Sequence, residues 1–187
     1  MSHTLLSSRP YGSRLALSAA LVLALGGFAG QARADEHHGT DHNQIDGARV
    51  DLHANVDGYG MFGVGGRVEL PIVPDGLIRG DVHDELALSL GADVLFSPVD
   101  RGYYDGGGYV VPIAAVQWNF YLGSNWSVFP EAGVAVHFDF DHDGYRDHGW
   151  SYVQPDLGLG ARYHFQDRLA LLMRVSSPGG LQVGLTF

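Results

Sequence analysis

Trp150-Ser-Tyr-Val-Gln-Pro-Asp-Leu-Gly-Leu-Gly-Ala-Arg-Tyr-His-Phe165 changes character at every second residue. Val153, Leu157, Leu159, Ala161, Tyr163 and Phe165 share one face. Tyr152, Gln154, Asp156, Gly158, Gly160, Arg162 and His164 share the other. A period of two separates these sets and a period of 3.6 would mix them, so the segment is a strand with two unlike faces. Outward in both directions the pattern repeats. Glu85–Phe96 sets Leu86, Leu88, Leu90, Ala92, Val94 and Phe96 against Glu85, Ser89, Gly91 and Asp93. Trp126–Phe140 sets Val128, Ala132, Val134, Val136 and Phe138 against Ser127, Glu131, Gly133, His137 and Asp139. At the end of the chain Leu181, Val183, Leu185 and Phe187 oppose Gln182, Gly184 and Thr186.

Helical templates fit none of these windows. Further strands are expected at 48–57, 61–72, 109–122 and 168–175, which makes eight in total. Connectors rich in glycine, proline and aspartate separate them, among them PDGLIRGD, SPVDRGYYDGGG, DHDGYRDHG and SPGG. Consecutive strands with short links in an even number predict an all-β fold, an eight-stranded antiparallel up-and-down barrel. Pro71, Pro112, Pro130 and Pro155 fall inside candidate strands. Each removes a ladder donor in a fold with no free edge, although most of them lie near strand ends.

Composition narrows the classes. The 187 residues are 45% hydrophobic, 11% aromatic and only 17% charged, which excludes an intrinsically disordered chain. A net charge of −10 excludes a generic nucleic-acid binder. The absence of cysteine removes disulfide scaffolds, thiol nucleophiles and cysteine-zinc sites. At the N-terminus, Arg9 and Arg14 precede the apolar stretch Leu15–Phe28 and then Ala32-Arg33-Ala34. This is the layout of a secretory signal peptide over residues 1–34, cut before Asp35. As a helix, Leu15–Phe28 would rise about 21 Å, short of the roughly 30 Å of a bilayer core. That segment holds three of the eleven arginines and no acid, so the remainder carries eight cations against 21 acids, a charge of −13. Residues 35–47 read as a flexible leader rich in His and Asp, and 48–187 as the barrel.

Alternation alone does not say which face is wet, but aromatic placement does, because interfacial rings gather at the two ends of membrane strands. With odd strands running up, Phe62, Phe96, Phe138 and Phe140 lie near the top of the outer face. Trp118, Phe120, Trp126, Tyr163, Phe165 and Phe187 lie near the bottom, with Val, Leu and Ala between. The opposite face brings glycines at 63, 65, 91, 133, 158, 160 and 184 together with Glu69, Glu85, Asp93, Glu131, Asp156, Arg67, Arg162 and Arg174. Charges in so narrow a lumen must be paired or hydrated, and Glu131 and Asp156 are expected to share Arg162 and Arg174.

On these features the chain resembles the small outer-membrane barrels of the OmpA transmembrane-domain, OmpX and OmpW type. The resemblance spans roughly 48–187 and is architectural. It implies a transmembrane β-barrel in the outer membrane of a Gram-negative bacterium, monomeric and surrounded by outer-membrane lipid. It also implies that Leu181, Val183, Leu185 and Phe187 form the terminal signal read by the barrel-assembly machinery. The corresponding function is non-enzymatic, with a structural, adhesive or small-solute role. A soluble periplasmic, lipocalin-like barrel holding an apolar ligand is the alternative, and it requires aromatic side chains inside.

Three motifs bear on chemistry. Asp139-Phe-Asp141-His-Asp143-Gly144 matches the first half of a calcium loop, with Asp139, Asp141 and Asp143 as candidate ligands. Trp150 stands where such a loop ends in a bidentate Glu, so the competing interpretation is a solvated acidic hairpin, and no other cofactor is expected. His37, His38 and His42 of the leader could hold zinc, copper or nickel weakly, although such tails are usually only solvated. Gly58-x-Gly60-x-x-Gly63 fits a dinucleotide fingerprint by letter only; no helix follows, and a hairpin crossing the barrel top is expected. A barrel enzyme acting on lipid A would need a serine beside a histidine with an orienting acid. The inward serines are Ser89 and Ser127, and neither has a histidine near it in sequence.

Overall fold

The computed structural model describes residues 47–58, 60–78, 82–96, 108–139, 152–166 and 168–187. They form eight strands: β1 (Arg49–Val56), β2 (Phe62–Val73), β3 (Asp84–Phe96), β4 (Gly108–Leu122), β5 (Trp126–Asp139), β6 (Tyr152–Gln166), β7 (Leu169–Ser177) and β8 (Gly180–Thr186). Each pairs antiparallel with its sequence neighbours, and β8 returns to β1, so the sheet is a closed up-and-down barrel. This is the fold expected from the alternation, and that of the small eight-stranded barrels the sequence resembles. The last residue completes the seam. Val50 N–H donates to the Phe187 carbonyl at 2.7 Å, and Phe187 N–H donates back at 3.0 Å. Residues 1–46, Phe140, Asp141 and Asp143 lie outside the described residues.

The four prolines sit where a ladder is already interrupted. Pro71 lies at the register shift between β2 and β3, past the last β1 partner, Arg49 opposite Glu69. Pro112 on β4 and Pro130 on β5 fall in the two gaps of the β4–β5 ladder. Pro155 stands above the end of β7, whose last pairing is Ser177 with Leu157. Closure of the barrel therefore costs no buried donor at these positions, because a missing N–H matters only where a partner carbonyl waits for it.

The barrel is inside out relative to a soluble one. On β6, Leu157 and Leu159 are 59% and 68% exposed, whereas Asp156 and Arg162 on the opposite face are 0% and 1% exposed. The outer face carries ring pairs at both ends: Phe62 with Phe96 above, and Trp118 with Phe120 and Trp126 with Tyr163 below. Inward glycines open the lumen. A Cβ on Gly160 would run into the Phe129 ring, and one on Gly158 would reach the Glu131 carboxylate. Gly180, at φ 68°, turns the short β7–β8 hairpin in a backbone conformation that side chains disfavour.

Candidate functional site

The site of interest is the lumen, built by the inward parity of all eight strands. Its lower end, nearest the chain termini, is an ionic lattice. Arg49 of β1 donates from Nε to Glu69 at 3.2 Å and from Nη1 to Tyr121 at 3.0 Å. Its two terminal nitrogens also grip Glu85, which accepts a further bond from Asn119 at 3.1 Å. Arg162 of β6 pairs with Glu69 and lies 3.4 Å from Asp51. It also donates to Thr186 at 3.1 Å and Asn119 at 3.0 Å. With its amide nitrogen turned toward Glu69, Gln117 donates there at 2.7 Å and accepts from Arg162 at 3.0 Å.

Higher in the lumen, Arg174 of β7 donates to Asp51 at 2.9 Å and to Gln182 at 3.1 Å, with Glu131 3.3 Å from its Nε. Arg67 of β2 donates to both oxygens of Glu131 at 3.2 Å and stands 3.6 Å from Asp156. The Phe129 ring lies under both Arg162 and Arg174, with guanidinium carbons 4.3 Å and 5.3 Å from its centroid. Asp93 gathers His53 at 2.9 Å, Asn55 at 3.1 Å and Gln182 at 3.2 Å. The four arginines buried among the described residues thus face carboxylates, and neighbouring amides supply further donors and acceptors. Both Asp156 oxygens and Arg67 Nε and Nη2 have no hydrogen-bond partner among the described residues. Desolvating so many charges is costly, and it is offset where an ion meets several opposite partners in fixed geometry, as Glu69, Asp51 and Glu131 do.

Above the lattice on the β3–β5 side the lumen turns apolar. Leu95, Val111, Ile113 and Ala135 form a buried cluster, with Met61 and Tyr109 packed against it. His137 stacks on Tyr152 at 4.3 Å near this end.

Glu131, Asp156, Arg162 and Arg174 all lie inside the barrel, but their pairing differs from the sequence expectation. Only Arg174 reaches Glu131; Asp156 faces Arg67, and Arg162 turns to Asp51 and Glu69. The reason is height. Arg162 lies opposite Ser127 and Asp156 opposite Gly133, which separates them by about 20 Å along the same strand. Arg49 and Asp51 were not singled out from sequence, although both share the parity of His53 and Asn55 on an expected strand. Leu181, Val183, Leu185 and Phe187 all face outward and are exposed. Asp139 ends β5, and its companions Asp141 and Asp143 are outside the described residues.

The fold does bring a serine and a histidine together. Ser127 Oγ lies 3.0 Å from His164 Nε2 at the lower end of the lumen. Both are buried, and His164 Nδ1 has no hydrogen-bond partner among the described residues. A catalytic histidine needs that nitrogen held by an orienting group, and the nucleophile needs access to substrate. Among the described residues no orienting group holds Nδ1, and the contact links β5 to β6.

No protein-family model and no curated protein sequence matches the chain. Among solved structures, the N-terminal β-barrel domain of Pseudomonas aeruginosa OprF is similar at a TM-score of 0.46 and 15% identity, over 74% of this chain and 93% of that one.

Proposed function

We propose that the chain is a non-enzymatic barrel of the outer membrane of a Gram-negative bacterium, acting as a closed structural element rather than a pore. The supporting observation is the inverted polarity of the wall, with exposed aliphatic residues outside and paired arginines and carboxylates inside. Only a hydrocarbon solvent favours that outer face, and closure into a barrel satisfies the backbone there without water. A lipocalin-like barrel needs the reverse, an apolar lumen, and the small Leu95–Ile113 cluster does not fill that role. Residues 1–34 act in this reading as the export signal. In the same reading Leu181, Val183, Leu185 and Phe187, exposed on the outer face at the chain's closing strand, act as the signal for assembly. Crossing side chains brace the lumen from wall to wall, which favours a structural role over conduction.

The test is biochemical. The mature chain should fractionate with outer membranes, require detergent once extracted, and migrate as a compact band on gels until boiled. Reconstituted in planar bilayers it should give no steady conductance. A monomer that stays soluble without detergent after export overturns the reading.

A further inference from the structure

The turn after β2, residues 74–78, lies against Asp84 at the lower rim of the outer wall. Glu85 points inward to Arg49, so its neighbour Asp84 points outward, onto the face that carries Trp118 and Phe120. There the carboxylate accepts three hydrogen bonds. Oδ2 takes the Leu77 N–H at 2.8 Å and the Trp118 indole N–H at 2.7 Å, and Oδ1 takes the Ile78 N–H at 3.2 Å. Gly76, at φ 71°, makes the reversal, and a Cβ there would strike the Asp84 carboxylate. An outward acid is thereby left only 5% exposed, roofed by the turn it holds.

Beside the exposed Pro74 and Asp75, the turn also shows apolar side chains. Leu77 and Ile78 are 57% and 40% exposed, at the same rim as the exposed Ile72 and Leu70 of β2. The Trp118 and Phe120 rings, 4.8 Å apart, flank the same rim. Two turn N–H groups that would be expensive in a lipid environment are already satisfied by Asp84.

We propose that residues 73–78 are a membrane foot, with Leu77 and Ile78 seated in the boundary between headgroups and acyl chains of the leaflet at the terminal end of the barrel. The assignment rests on the outer-membrane reading above and adds to it a contact beyond the strands. Apolar side chains beside an aromatic girdle partition into that zone, whose depth is about 5–10 Å.

The chain has no cysteine, so single-site labelling is clean. Full-length mature protein carrying Leu77→Cys, Ser124→Cys or Leu159→Cys is labelled with an environment-sensitive dye and refolded into phosphatidylcholine vesicles. Quenching is then read with brominated phosphatidylcholine and with aqueous iodide. Leu159, on the belt, reports the barrel; Ser124, in the β4–β5 turn on the same side, reports water. The label at Leu77 should be quenched by shallow bromolipid about twofold or more above the label at Ser124, and be shielded from iodide. Asp84→Ala should abolish that difference while leaving quenching at Leu159 intact. Iodide access at Leu77 equal to that at Ser124, with Leu159 still in lipid, overturns the foot and leaves the barrel reading standing. Shielding at Leu77 without bromolipid quenching also overturns it, because a protein surface then covers the site. If Leu159 itself is not quenched by bromolipid, the outer-membrane reading has failed first. Persistence of the Leu77 signal in Asp84→Ala would overturn the clamp.

Discussion

The two ends of the lumen fill similar space by opposite means. Below, Arg49, Arg162 and Arg174 tie β1, β6 and β7 to carboxylates on β1, β2, β3 and β5. Above, on the β3–β5 side, Leu95, Val111, Ile113 and Ala135 pack together, with Met61 and Tyr109 against them. An apolar cluster tolerates substitution by what it loses in contact and cavity. A charged lattice is less forgiving, because removing one ion leaves its partners buried and uncompensated. The lower end therefore specifies which strands meet at which height, while the upper end fills volume. Energetic sensitivity along the lumen should fall from bottom to top.

The steepest test is Arg162→Leu. It strands Asp51 and Glu69 with only the remaining guanidinium groups of Arg49 and Arg174, and removes one cation from the Phe129 ring. The expected loss is about 3–5 kcal/mol, read by urea unfolding in detergent micelles. A loss under about 0.5 kcal/mol would mean that Arg162 lies in bulk water and that the two ends do not differ as argued.

Moving the charge through the wall gives the second test. Leu159→Arg, three residues away on β6 but facing out, puts a guanidinium where no carboxylate answers it. At the bilayer midplane this should cost about 2–4 kcal/mol in vesicles. A neutral result would place that face in water.

Much of this contrast was legible in the sequence, and the limit is physical. Parity along each strand reports the face, so Glu131, Asp156, Arg162 and Arg174 could be placed inside from Leu157, Leu159 and their like. Parity says nothing about height, which depends on how each strand is staggered against its neighbours. That is why Asp156 was expected to share Arg162 and Arg174 and instead faces Arg67. The prolines illustrate the same limit: residues that look like breakers become harmless once the ladder gaps beside Pro112 and Pro130 are known. The outward Asp84 broke no visible rule, since a polar residue at a strand end reads as part of a turn. Only three dimensions show that it caps Leu77 and Ile78 from the outer face.

Gly160→Ala probes packing inside the ionic lattice. Its Cβ would meet the Phe129 ring, which itself supports Arg162 and Arg174, so the methyl must push the ring or spread the strands. Overpacking of this kind costs about 1–3 kcal/mol. Phe129→Leu should relieve part of the clash while losing the cation contact, so the double variant should be more stable than the sum of the two single losses allows. Strict additivity in that cycle would mean that ring and glycine do not touch.

The smallest effect belongs to the apolar end. Ile113 is 3% exposed and sits among Leu95, Val111 and Ala135, none of which depends on it for a hydrogen bond or a counter-charge. Ile113→Val removes one methylene and leaves the strand propensity of a β-branched residue in place. The expected loss is about 0.5–1.5 kcal/mol, from lost contact and a small void. No charge is stranded, so the loss should be the same in the wild-type background and beside Arg162→Leu, within the few tenths of a kcal/mol usual for independent sites. A coupling well above that range between Ile113→Val and Arg162→Leu would show the two ends acting as one core, and the contrast between them would fall.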